Sequence, residues 1–266
     1  MYETTYHRAS SVDDAVALFG KGTEAKFLAG GQTLLPVMKQ RLAAPSDVID
    51  LSKVKELIGI EPTGDGIVVK AATTHYDVAT SDVVQKAIPA LAHLASLIGD
   101  PAVRHRGTIG GSLANNDPAA DYPAAVLALG ATIKTNKRTI AADDFFKGLF
   151  ATALEDGEII TAVSFPVQAK AGYAKFPNPA SRFALTGVFV AKTPAGDVRV
   201  AATGASQSGV MRVGPIEAAL KANWSAGAID GVTIPSAGLL ADIHGSAAYR
   251  ANLIKVMAQR AVIAAG

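Results

Sequence analysis

The amino-acid sequence predicts an α+β protein in two parts. Three observations carry that expectation: helical and strand patterns both occur along the 266 residues, several strands adjoin as hairpins, and the composition shifts at about residue 170 into a smaller unit. A chain of this length makes one large domain or two modest ones, with ample core.

Ser11 followed by Asp14 reads as a helix cap, and Val12, Ala15, Val16 and Phe19 recur at helical spacing until Gly20. Residues 26–29 read as a buried strand ending at Gly30-Gly31, with a helix beginning at about Thr33. Strands are expected at 48–51, 57–60 and 67–70, the last two joined as a hairpin through 61–66. Helical patterns return at 76–79 and 89–98, followed by a polar, glycine-containing stretch over 100–116. Asp117 is placed to cap a further helix through Leu129, with Pro118 in its first turn. Residues 131–135 and 138–141 alternate as paired strands, and 158–165 forms another that stops before Pro166. Residues 172–182 hold Pro177 and Pro179 and read as an irregular crossing. Beyond it come a hairpin of 184–192 with 198–205, a third strand at 211–213 and three helical patterns. The last, about 247–264, puts Ala251, Ile254, Met257, Ala258 and Ala261 on one face and directs Arg250, Lys255 and Arg260 elsewhere.

Composition narrows the function. Lys and Arg number 25 against 23 Asp and Glu, a net charge of +2 with the basic residues scattered, which argues against a nucleic-acid partner. The longest stretch free of Asp, Glu, Lys and Arg, residues 87–99, has 13 residues, short of the roughly 20 that cross a bilayer. The absence of cysteine excludes a disulfide framework, a thiolate nucleophile and an iron–sulfur cluster held by this chain. Residues 1–8 lack the basic-then-apolar pattern of a secretory signal, so a cytoplasmic location is expected.

Two loops carry the chemistry. Ala29-Gly30-Gly31-Gln32-Thr33-Leu34 sets two glycines at a strand end, where exposed backbone N–H groups can cradle a phosphate; taken alone it reads first as a plain turn. Gly107-Thr108-Ile109-Gly110-Gly111-Ser112-Leu113-Ala114-Asn115-Asn116 repeats the pattern, and two such nests together would clamp a dinucleotide diphosphate. Asp121 is either an acceptor for ribose-like hydroxyls or a solvated first-turn carboxylate favoured by a helix dipole. Neither loop has the G-x-G-x-x-G spacing, and Gly20-Lys21-Gly22 is no P-loop. His7, His75, His93, His105 and His244 lack zinc-ligand spacing, and His93 reads as helix packing. Gly110-Gly111-Ser112-Leu113-Ala114 lacks the second glycine of a serine-hydrolase elbow. Asp117 and Asp121, spaced i,i+4, could share a face toward magnesium, but Asp117 as an N-cap is the simpler reading, so neither a catalytic nor a metal-ligating side chain is predicted. Arg104-His105-Arg106 and Lys175 need no function as isolated residues.

Together, however, these segments closely resemble the FAD-binding subunit of the molybdenum hydroxylases, the xanthine dehydrogenase and carbon monoxide dehydrogenase family. The residues that carry the resemblance are 29–36, the run from Ile98 to Asn115, Asp117-Pro118-Ala119-Ala120-Asp121, Gly157-Glu158-Ile159-Ile160, Tyr173-Ala174-Lys175-Phe176 with Ala180-Ser181-Arg182, and 245–250. The resemblance covers nearly the whole chain. It implies a FAD-binding domain of the vanillyl-alcohol-oxidase (PCMH) type over 1–170, in subdomains of about 1–55 and 56–170. A C-terminal α+β domain with a three-stranded antiparallel sheet would follow over 171–266. Carried over by position, Phe27, Leu28, Ala29, Gly30, Gly31, Gln32, Thr33 and Leu34 would hold the FAD diphosphate with Thr108, Ile109, Gly110, Gly111 and Ser112. Asn115 falls in the same run, Asp121 would lie near the ribityl or adenosine part, Ile160 beside the isoalloxazine, and Ile98 and Lys175 near the cofactor.

The resemblance further implies a small subunit with two 2Fe-2S clusters and a large subunit with a molybdopterin cofactor, assembled as a dimer of heterotrimers. In that arrangement this chain passes electrons from the clusters to an external acceptor. The rival expectations are a self-contained flavin oxidase or dehydrogenase and a non-catalytic interaction subunit.

Overall fold

The computed structural model describes residues 1–266 and contains four sheets. The first unit holds β1 (Thr5–Arg8), α1 (Val12–Phe19), β2 (Ala25–Leu28), α2 (Leu34–Lys39) and β3 (Asp47–Asp50). Ser11 caps α1 by accepting from the Asp14 amide at 3.0 Å. The three strands are parallel in the order β1-β3-β2, so β2 and β3 end side by side and the chain leaves β2 directly into Gly30-Gly31.

The second unit begins with β4 (Ile60–Pro62) and β5 (Gly66–Lys70) and continues through α3 (His75–Thr80), α4 (Asp82–Ala87), α5 (Pro89–Ser96), α6 (Pro101–Arg104), α7 (Ile109–Asn115) and α8 (Tyr122–Ala128). It closes with β6 (Thr132–Thr135), β7 (Thr139–Ala141), the turn-like α9 (Ala142–Phe145), the small hairpin β8 (Phe146–Gly148) and β9 (Ala151–Thr152), and β10 (Ile160–Pro166). Its five-stranded sheet has the order β4-β5-β10-β6-β7. Two expected boundaries move. Residues 55–57 form a 3-10 turn that buries Leu57, and the strand starts only after Gly59, whose φ of 134° breaks the extended run. Asp117 caps a local turn through the Ala119 amide, and α8 begins at Tyr122 with Pro123 in its first turn.

The last unit is a four-stranded antiparallel sheet, β11 (Lys170–Pro177), β12 (Ala184–Lys192), β13 (Val198–Ser206) and β14 (Gly209–Arg212), followed by α10 (Gly214–Ala222), a short 3-10 turn and α11 (Ala247–Ala265). The expected three strands become four because most of the expected crossing is β11, paired with β12 along its length; the chain turns only at Asn178. β11 hides its strand pattern by having no wet face. Ala171 and Tyr173 pack on the core of the second unit, while Ala174 and Phe176 pack on the core beneath α11. The α8 segment Tyr122-Pro123-Ala124-Ala125-Val126-Leu127-Ala128 is buried throughout, as an all-apolar helix must be, and packs against β12 and β13.

Two side chains depart from the sequence reading. Arg250 of α11 points inward: it is 3% exposed and donates to the carbonyls of Leu185 and Gly204 and to Asp242. Those carbonyls face the helix where Gly204, at φ 78°, distorts β13, and a guanidinium reaches them together. His93 of α5 is exposed, because the buried stripe of that helix runs through Leu91, Leu94 and Ala95.

Candidate cofactor cleft

A cleft of about 930 Å³ opens between the first two units, with β11 and the loop after it on one wall. That is within the size of cofactor and ligand sites. Seventeen of the eighteen residues singled out from the sequence line it: Phe27 through Leu34, Ile98, Thr108, Gly110, Gly111, Ser112, Asn115, Asp121, Ile160 and Lys175. Ile109 does not; its side chain is fully buried in the core behind α7.

The two glycine segments differ in what they offer. The backbone N–H groups of Gly30, Gly31, Gln32, Thr33 and Leu34 have no acceptor within the protein, and all five residues border the cleft. Consecutive unpaired amides of this kind form an anion cradle. In the second segment the amides are engaged: Ile109 donates to Thr73 O at 3.2 Å, Gly110 to Ala71 O at 2.8 Å, Gly111 to Thr108 Oγ1 at 3.2 Å and Ser112 to Thr108 O at 3.0 Å. Thr108 keeps a free N–H. The expected pair of equal nests is therefore one open cradle and one closed helix start that shapes the opposite wall.

The glycines themselves serve contact between protein segments. A Cβ on Gly30 would stand 2.0 Å from Arg106 O and 2.7 Å from Gly107 Cα, so here the two segments touch backbone to backbone. A Cβ on Gly110 would lie 2.6 Å from the Cβ of Ala71. Gly31, at φ 72°, makes the left-handed step that lets the chain leave β2.

Asp121 is 4% exposed, which rules out the solvated capping role. Its Oδ1 accepts from Tyr173 Oη at 2.5 Å and its Oδ2 from Lys175 Nζ at 3.0 Å; Lys175 also donates to Leu97 O at 3.1 Å. Burial pushes the Asp121 carboxyl above the usual carboxylate range, opposed by Lys175 and Tyr173. The cluster ties the head of α8 and the end of α5 to β11, and it fixes an ammonium in the cleft wall.

The cleft also has contributors that were not singled out as site residues from the sequence, among them Glu158, His75, Leu154 and the loop from Ala180 to Phe183. Glu158 borders the cleft with a sealed side chain, held by Arg138, by Thr135 Oγ1 at 2.7 Å and by the Glu155 amide at 2.8 Å. These bonds, the Arg138 pair foremost, bring its pKa down to about 2. His75 and Leu154 also line the cleft, as does the loop from Ala180 to Phe183, in which Arg182 has a φ of 62°. A histidine judged only for zinc spacing gives no sign of such a place, whereas Glu158 was already within the matched run Gly157-Glu158-Ile159-Ile160.

Residues 2–168 match the family model for the FAD binding domain in molybdopterin dehydrogenase. The chain is similar to the carbon monoxide dehydrogenase medium chain of Hydrogenophaga pseudoflava, at 35% identity over 275 aligned positions that cover 98% of this chain and 96% of the relative. It is also similar to the nicotine 6-hydroxylase medium subunit of Paenarthrobacter nicotinovorans, at 37% over 274 positions, 98% and 96% of the two chains. Among solved structures, reconstituted CO dehydrogenase from Oligotropha carboxidovorans superimposes with a TM-score of 0.89 at 33% identity, covering 99% of this chain and 97% of that one.

Proposed function

The chain belongs to the FAD-binding medium subunits of the molybdenum hydroxylase family of oxidoreductases, and from that membership we propose that it passes electrons from the 2Fe-2S clusters of a partner subunit to an external acceptor. The observation that carries the cofactor part is the run of five unpaired amides, Gly30 to Leu34, along a cleft of cofactor size. Such a cradle suits the doubly charged diphosphate of FAD.

In this reading Phe27–Leu34 hold the diphosphate on one side, and Thr108, Gly110, Gly111, Ser112 and Asn115 close the other. Ile98 and Ile160 give the cleft apolar surface for the flavin ring. Asp121 acts chiefly by holding Lys175, because both of its oxygens are already engaged. Residues 1–170 make up the FAD-binding part and 171–266 the C-terminal part. Bound FAD supplies one- and two-electron redox chemistry; the residues bind, orient and shield it, and none of them is required as an acid or base.

Similarity to medium chains supports two partners, which in this reading are a small iron–sulfur subunit and a large molybdopterin subunit; the dimer of heterotrimers is part of the proposal. The large subunit would select the substrate. Native purification through a tag on this chain, with co-eluting chains identified by mass and iron and molybdenum assayed, tests the reading. Two partner chains carrying iron and molybdenum are expected. A lone chain that turns over substrate with its flavin would make it an autonomous oxidase instead.

A further inference from the structure

We infer that His75 is a cofactor contact, placing an imidazole nitrogen on the diphosphate of bound FAD where the two glycine segments meet; the inference rests on the FAD reading above. His75 is bolted to the second segment: its amide donates to Gly107 O at 2.9 Å, and Thr74 bridges to Thr108. The side chain lines the cleft and is 5% exposed. Nδ1 is sealed from solvent without a partner, whereas Nε2, which also makes no hydrogen bond, is not sealed and is the nitrogen the cleft can reach. A Cβ on Gly107 would lie 2.6 Å from Nε2, and one on Gly30 would lie 2.7 Å from Gly107 Cα. Imidazole, Gly107 and Gly30 therefore stand in contact, ending at the open amides of Gly30 to Leu34.

Buried polar groups are nearly always paired, and an imidazole left without a partner is costly. Packing alone does not call for one: the ring lies 5.3 Å from that of Tyr122, a contact that phenylalanine would make as well. Burial and the nearby Arg104 charge bring the His75 pKa down to about 4, so at neutral pH one nitrogen donates and the other accepts. An N–H donor beside an anion cradle suits a phosphate oxygen.

The test titrates FAD, and separately ADP, into the FAD-stripped native assembly of the full chain, as wild type, His75→Phe and His75→Gln. The Phe variant is expected to raise the Kd of both ligands about tenfold, without lowering the thermal midpoint of the stripped protein, while Gln recovers most of the affinity. Wild-type affinity in His75→Phe, or equal weakening by Phe and Gln, overturns the contact. A second readout needs no substitution: the His75 imidazole 15N resonances of the wild type should shift on adding FAD, and unmoved resonances overturn it as well. A wild-type chain that takes up no FAD removes the flavoprotein reading itself, whereas FAD binding indifferent to His75 removes only this inference.

Discussion

Gly30 stands where a methyl group has no room, 2.0 Å from a backbone carbonyl that cannot turn aside. Gly30→Val should therefore lower FAD content and also destabilise the flavin-free chain by about 1–3 kcal/mol; an unchanged thermal midpoint would remove the loop-to-loop contact as its role. Asp121 and Lys175 form a pair whose side chains are each 3% exposed. Removing either charge alone leaves the other buried, so Asp121→Ala should cost about 3–5 kcal/mol. The double variant with Lys175→Met should cost clearly less than the sum of the two single changes, and additivity in denaturant melts would refute the pairing. Glu158 and His75 are two of the groups that shape the acid limb of stability. Glu158, held at about 2 in the fold against 4.5 when free, contributes fully above about pH 4.5 and loses that contribution as pH falls toward 2. His75 is kept neutral by the fold, at about 4 against 6.5 when free, so its titration costs no stability above pH 6.5 and destabilises the fold increasingly as pH falls from 6.5 toward 4. Stability measured against pH should flatten between 4 and 6.5 in His75→Phe and below 4.5 in Glu158→Gln, and unchanged slopes would contradict both assignments.

Among the elements, the hairpin of β8 and β9 is held from outside. Asn116, at φ 44° after α7, donates through Nδ2 to Gly148 O and Ala151 O, both at 2.8 Å, while its carbonyl accepts from the Phe150 amide at 3.1 Å. Asn116→Gly keeps the left-handed backbone and loses the two side-chain bonds. Amide exchange should quicken across residues 146–152 with protection in α8 unchanged, and unaltered hairpin protection would show that the clamp is idle. The same scale explains what the sequence made legible. α1 and the β12–β13 hairpin could be read because one has a capping serine with helical spacing and the other a turn of Thr193-Pro194-Ala195-Gly196-Asp197. β11 could not, because two cores cover its two faces and erase the polar alternation. The glycine segments were legible as a pair and the structure lines one cleft with both, but their different amide pairing was not legible: whether an amide is free depends on the distant carbonyls of Ala71 and Thr73. His75 and the inward turn of Arg250 were hidden for the same reason, since both follow from what the chain brings against them.

At the scale of the whole molecule, the cleft draws its walls from separate parts of the chain: β2 and its loop, the stretch from α5 to α7, the entry to β10, and β11 with its following loop. Lys175 lies 54 residues from Asp121 in sequence, so the C-terminal sheet is part of the cleft's architecture. No helix is long and apolar enough to cross a membrane. The central claim is that FAD occupies this cleft, and flavin content tests it most directly when measured on the natively purified chain beside an Ala114→Trp variant. Ala114 is exposed on α7 and borders the cleft, so an indole there fills the cofactor's space without entering a core. The account predicts stoichiometric FAD in the wild type and a folded, flavin-free variant with the same thermal midpoint. A wild type that stays flavin-free after FAD is added, or an Ala114→Trp chain that keeps its full flavin, would contradict it.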